Sequence, residues 1–178
     1  SLKLANSYGM QANYHMNCQD HQKAILTFEK AKSMFFNEKL YFRYTQCLVL
    51  QSQCYIVSNL IDEARNNLEK ALKFSRQFEN PIMDGKIFFN LAQIYMIDQK
   101  YDLAKESIDD SIDIFQELNN KAMLSQLYVM QGNLYIEINK VNKAARSLKK
   151  AQKYSRRIES DKMESKINTL SERVNQLL

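Results

Sequence analysis

Along the chain, apolar and small residues return every three or four positions, the spacing that places them on one face of an α-helix. The pattern itself repeats every forty residues. Small residues stand at Ala24, Ala64, Ala104 and Ala144 and again at Ala31, Ala71, Ser111 and Ala151, with Phe28, Leu68, Ile108 and Leu148 between them. Upstream, the same step relates Ala12, Ser52, Ala92 and Gly132, preceded by Tyr8, Leu48, Phe88 and Tyr128 and followed by His15, Tyr55, Tyr95 and Tyr135. Two helices cross closely only where side chains are small and bulky neighbours fill the space beside the crossing. Each copy therefore reads as a helical hairpin of a first helix, A, and a second helix, B. The expected A helices run 2–17, 41–57, 82–97 and 121–137, and the expected B helices 20–36, 61–78, 100–118 and 140–158. Pro81 falls at a helix start, where its missing N–H is harmless.

Residues 160–178 do not form a fifth hairpin. Met163, Ile167, Leu170, Val174 and Leu177 recur at alternating spacings of four and three, one apolar stripe on a single helix. A terminal helix that closes the last repeat is the expected role. Self-association through residues 160–178 as a homodimer, or a spacer to a further domain, are the alternatives.

Composition agrees with helices. Only 3 Gly and 1 Pro occur in 178 residues, too few for the turns of a sandwich, a barrel or a Gly-rich phosphate loop. Hydrophobic residues make up 45% and charged residues 25%, which excludes a disordered chain, and no apolar run approaches the roughly 20 residues that span a bilayer. A single domain covering residues 1–178 is expected, excised from a longer protein because the numbering opens at Ser1. Three cysteines, with Cys47 and Cys54 seven apart on one expected helix, read as free thiols in a reducing, cytoplasmic setting.

The hairpin pattern resembles the tetratricopeptide repeat family. Phe88, Leu91, Ala92, Tyr95, Ala104 and Ile108 match that family's order of a large residue, Leu-Gly/Ala, Tyr, Ala and Phe. The family's usual Pro after helix B is replaced by Phe36, Arg76, Gln116 and Arg156, and the period is 40 rather than 34. Longer repeats of this kind occur in Pins/LGN-type scaffolds, kinesin light chains and peptide-sensing regulators of Gram-positive bacteria. The resemblance implies an all-α, right-handed superhelix, an α-solenoid of four hairpins at about 4–40, 41–80, 81–120 and 121–158, with a C-terminal capping helix at 160–178. Its A helices would line a concave groove.

The face of the A helices opposite the crossing columns is the candidate site. It carries Asn13, Gln53, Gln93 and Asn133, with Asn6, Gln46, Lys86 and Gln126 seven residues earlier. An amide offers a donor and an acceptor, which suits the alternating C=O and N–H of a peptide backbone whatever its side chains. Beside this ladder lie Val49, Phe89 and Val129, then Met16, Ile56, Met96 and Ile136, then Val57 and Ile97, expected to shape side-chain pockets. The alternative is that the apolar residues pack against neighbouring helices and that amides are simply abundant, 30 of 178 residues.

Residues 140–157 hold eight Lys or Arg and no acid. Lys143, Arg146, Lys149, Lys150, Lys153, Arg156 and Arg157 share the outer side of their helix, a solvated face or a contact for an acidic protein surface. Nucleic acid is not expected, since no aromatic residues interleave to stack bases, and Tyr154 turns toward the core. No nucleophile elbow, phosphate loop, His-Glu-x-x-His or paired Cys-x-x-Cys occurs, so neither catalysis nor a metal or other cofactor is expected. His15, Cys18 and His21 are spaced for zinc only loosely, and His15, in the Tyr column, reads as a partly buried core histidine. The function read from the chain is a scaffold or adaptor that holds a partner's extended peptide in its groove. A peptide-sensing regulatory domain and an enzyme's accessory segment are the competing readings.

Overall fold

The computed structural model describes residues 1–77, 79–156 and 161–177. Among them every regular element is an α-helix: α1 (Leu2–Asn17), α2 (His21–Asn37), α3 (Tyr41–Val57), α4 (Ile61–Ser75), α5 (Pro81–Ile97), α6 (Tyr101–Glu117), α7 (Lys121–Glu137), α8 (Val141–Ser155) and α9 (Asp161–Leu177). Odd helices up to α7 are the A helices of the hairpins and even helices the B helices. The chain divides into two compact units, Ser1–Ile94 and Tyr95–Leu178.

The turns need no glycine. Left-handed backbone recurs every twenty residues, at Gln19, Lys39, Asn59, Glu79, Gln99, Asn119 and Asn139, with φ between 46° and 60°. After α1, Gln19 N–H donates to the Met16 carbonyl at 3.0 Å and Asp20 N–H to that of His15 at 2.9 Å, the paired bonds of a Schellman turn. Asp20 then caps α2, its Oδ1 accepting from Lys23 N–H at 3.2 Å. Asn80 caps α5 likewise, accepting from Met83 N–H at 3.0 Å, and Pro81 sits at that helix's first position.

Two B helices are shorter than their periodicity predicts. α4 ends at Ser75 and α8 at Ser155, against expected ends at 78 and 158; residues 78 and 157–160 lie outside the described chain. In α2 and α6 the equivalent position is Phe35 or Phe115, whose ring is buried, and these helices run two residues further. Ser75 has no such anchor, and its hydroxyl donates back to the Leu72 carbonyl at 3.2 Å.

The crossing columns are the core. Ala24, Ala64, Ala104 and Ala144 are all 0% exposed, as are Ala31, Ala71, Ser111 and Ala151. In the first unit, Phe28, Phe35, Cys47 and Cys54 pack with Ala5, Ala12, Ala24 and Ala31, and Leu48, Leu68, Ile87 and Ile94 form a neighbouring cluster. In the second, Val174 of α9 packs with Ile136, Ala144 and Leu148, and Arg173 of α9 pairs with Glu137 of α7 at 3.2 Å. The apolar stripe of α9 thus lies on α7 and α8.

Candidate functional site

In the first unit, α1, α2 and α3 surround a cleft of about 380 Å³. Asn6, Met10 and Asn13 of α1 form one wall and Arg43, Gln46 and Leu50 of α3 the other, over a floor of Phe28, Phe35 and Cys47. Gly9 lines the cleft, and a Cβ there would meet nothing nearer than the Phe35 ring at 3.9 Å. Its walls combine amides, a cation and aliphatic surface, the mix suited to an extended peptide.

All eight residues of the expected ladder, Asn6, Asn13, Gln46, Gln53, Lys86, Gln93, Gln126 and Asn133, are half-buried. Gln53 is partly engaged, donating to Asn90 Oδ1 at a long 3.4 Å. Among the described residues the amides of Asn6, Asn13, Gln46, Gln93, Gln126 and Asn133 make no hydrogen bond. The structure brings Asn6, Asn13 and Gln46 together around the cleft; Gln126 and Asn133 hold the equivalent places on α7 in the second unit.

The apolar neighbours sit deeper than a ligand pocket requires. Val49 is 1% exposed, Val129 2%, Ile136 6% and Phe89 8%. These four pack inward, and only their rims reach solvent. Met16, Ile56 and Met96 are half-buried, and Val57 and Ile97 are well exposed.

A second set of amides, outside the expected ladder, is structural. Gln51 is wholly buried: its Nε2 donates to the Ile25 carbonyl at 3.0 Å and to Glu29 Oε2 at 3.1 Å, while its Oε1 accepts from Asn67 at 2.9 Å and from Lys32 at 3.1 Å. Glu29 also pairs with Lys32 at 2.6 Å. Partial burial pushes the Glu29 carboxyl up, but the bonds from Lys32 and Gln51 outweigh it and leave the group below its ordinary range. One period of two repeats later, Gln131 donates to Asp109 Oδ1 at 3.0 Å and accepts from Ser147 at 2.8 Å. Both glutamines tie an A helix to the preceding B helix and to its own. Asn90, also buried, donates to the Val49 carbonyl and to Ser52 Oγ, both at 3.1 Å. The recurrence of a short polar residue at Thr27, Asn67, Ser107 and Ser147, on the inner side of the B helices, was the available signal.

Cys18, Cys47 and Cys54 are free; Cys18 is exposed and the other two are core residues. Burial pushes the Cys47 thiol up to about 12 and that of Cys54 to about 11, so both stay protonated and unreactive at neutral pH. His15 is half-buried and meets the Tyr14 ring edge-on at 5.8 Å. On α8, Lys143, Arg146, Lys149, Lys150 and Lys153 are exposed; Arg157 lies outside the described residues. Lys143 stands over the Tyr135 ring at 5.8 Å and Lys150 over that of Tyr128 at 5.0 Å. Tyr154 stacks on Tyr128 at 5.8 Å. Among the described residues no helix is long and apolar enough to cross a membrane.

Helical hairpins repeated every forty residues, with small residues at each crossing, define a helical-repeat protein. The tetratricopeptide repeat model matches residues 5–37, 85–117 and 125–157, more than half of the chain, and the chain belongs to the tetratricopeptide repeat family. That fold is a scaffold for protein–protein interaction. No curated protein matches by sequence. Among solved structures the chain resembles aspartyl phosphate phosphatase F from Bacillus subtilis, with a TM-score of 0.85 and 17% identity over 98% of this chain and 48% of that one. It also resembles BtubC from P. vanneervenii, with a TM-score of 0.74 and 19% identity over 99% of this chain and 80% of that one. RapI in its apo form gives a TM-score of 0.75 and 18% identity over 97% of this chain and 64% of that one. The chain thus spans about half the length of the phosphatase and under two thirds of RapI.

Proposed function

We propose that the chain is a peptide-binding module whose first unit seats an extended segment of a partner protein in the cleft between α1 and α3. The observation that carries this reading is the set of half-buried, unpartnered amides at the cleft, Asn6, Asn13 and Gln46, beside the committed amides of Gln51 and Asn90. A half-buried amide without a protein partner keeps water it would exchange for peptide bonds at little cost. Met10 and Leu50 supply aliphatic surface for the segment's side chains, and Arg43 favours a segment carrying an acid near that point. Gln126 and Asn133 on α7 offer the same chemistry within the second unit. The one cysteine of the cleft, Cys47, is kept protonated by burial and serves as part of its apolar floor.

The test is fluorescence polarisation with a labelled peptide selected from a random library against the parent chain. Asn13→Ala with Gln46→Ala should weaken that peptide by about 0.5–1.5 kcal/mol for each lost hydrogen bond, with helix content unchanged. Equal affinity in parent and variant, or unfolding of the variant, would remove the amides from the binding role.

A further inference from the structure

The two B helices of the second unit carry opposite charge at equivalent positions. Stepping forty residues from α6 to α8 exchanges Glu106 for Arg146, Asp109 for Lys149, Asp110 for Lys150 and Asp113 for Lys153. α6 holds six acids against the single cation Lys105, and α8 holds five cations and no acid. In the first unit the same positions are mixed, as at Glu29 and Lys30 on α2 or Glu69 and Lys70 on α4. The segregation therefore belongs to α6 and α8 and is no general habit of the repeat.

Both helices present these charges on one side. Gln116 of α6 donates to the Tyr128 hydroxyl at 2.8 Å, and Lys150 of α8 lies over the same ring at 5.0 Å, so the two helices flank one residue of α7. Among the described residues only Asp109 of the four acids is occupied, by Lys105 at 2.6 Å and by Gln131. Among the described residues none of Arg146, Lys149, Lys150 and Lys153 reaches a carboxylate. Burial, together with Glu106, Asp113 and Asp109 nearby, holds the Asp110 carboxyl above its ordinary range, as expected of acids crowded without counter-charge.

We infer that this face docks on the same face of a second copy of the chain, α6 of each molecule lying against α8 of the other. One two-fold axis between the helices makes both contacts at once, because the acidic and basic rows occupy matching positions of matching hairpins. An acidic partner of α8 is thereby present on the chain itself. This contact is independent of the cleft and of α9. Its interface is mostly charge, so it forms quickly and weakens with salt.

Sedimentation velocity on the whole chain tests this. At about 0.1 M salt the sedimentation coefficient should rise with protein concentration toward a dimer, and at about 1 M salt, where screening acts within about 3 Å, the association should weaken at least about tenfold. Reversing α8 by Lys149→Glu, Lys150→Glu and Lys153→Glu, or α6 by Glu106→Lys, Asp110→Lys and Asp113→Lys, should each give a monomer with unchanged circular dichroism. Mixing the two reversed proteins should restore a dimer, since every contact regains its opposite. A parent chain that stays monomeric at low salt overturns the inference. So does a dimer that survives either reversal, which would move the contact to another surface such as α9, or a mixture of folded reversed proteins that does not associate.

Discussion

The two units are cut from one hairpin template, and their glycines show how differently each uses it. Gly9 of α1 looks into the cleft, with the nearest contact for a Cβ at 3.9 Å. Gly132 of α7 stands at the crossing with α8, where a Cβ would lie 2.9 Å from Leu148 Cδ2 and 3.1 Å from its Cγ. The first unit leaves room on its A face, buries a complete amide network around Gln51 and mixes its surface charges. The second packs its last crossing so tightly that it holds Gly132 where the first unit has Ala12 and Ser52, leaves Gln131 half-buried and sorts its charges onto separate helices. A repeat fixes the crossing columns because every copy must pack the same way. Volume on the A face and charge on the B face are under no such constraint, and those are the properties in which the units specialise.

The largest expected effect breaks the comparison at its glycines. Gly132→Leu drives a bulky side chain into buried Leu148 and should lower the unfolding free energy by about 1–3 kcal/mol. Gly9→Ala should raise it by about 0.5–1 kcal/mol, because alanine is the better helix former and the site has space. Urea titrations of the two variants check both signs. Loss of stability in Gly9→Ala would mean that the recess is packed more tightly than its geometry states.

The buried glutamines come next. Gln51→Leu strands the buried Asn67 amide and removes the bonds that Gln51 makes to Glu29 and Lys32, and should cost about 2 kcal/mol, from the usual penalty for unsatisfied buried groups. Gln131→Leu leaves Asp109 with Lys105 and water, and the buried Ser147 hydroxyl can turn back to a carbonyl of its own helix, so it should cost less than about 1 kcal/mol. Leucine fits the column sterically, as Leu91 stands there in the third copy. Equal losses in the two variants would erase the distinction between a sealed and a wetted network.

Much of this architecture was legible because the crossing columns are a matter of size. Ala24 and its equivalents, or Phe28 and its equivalents, keep one size class through four copies, and size survives every change of chemistry. The amides were only half legible. Gln51 and Gln53 are neighbours on α3 and chemically identical, yet one is sealed between helices and the other faces the A-face surface; a rotation of 200° on a helical wheel separates them, and which side another hairpin will cover is a tertiary fact. The inward packing of Val49 and Val129 has the same origin. The ends of α4 and α8 depended on Ser75 and Ser155, which interrupt an apolar spacing that otherwise runs on. The turns were hidden because a twenty-residue rhythm of left-handed residues is written in Gln, Lys, Glu and Asn instead of glycine.

That turn chemistry gives the smallest expected difference and the finest form of the comparison. Left-handed backbone costs a residue with a Cβ roughly 1–2 kcal/mol, and Asn offsets part of this because its short side chain bonds locally. The first unit places Gln19, Lys39, Asn59 and Glu79 at these positions, the second Gln99, Asn119 and Asn139. Lys39 and Asn119 occupy the same point of the repeat, with φ of 57° and 50°, and close equivalent turns: Leu40 N–H donates to the Phe35 carbonyl at 2.8 Å, and Asn120 N–H to that of Phe115 at 3.0 Å. Glycine at either site relieves the strain but loses more freedom on folding. Lys39→Gly should therefore stabilise by about 0.5 kcal/mol, while Asn119→Gly should change stability by only a few tenths, about 0.2 kcal/mol. Thermal unfolding of both variants side by side decides it. A larger gain at Asn119 than at Lys39 would show that the strain in these turns resides in the surrounding helices and not in the residue that adopts the left-handed conformation.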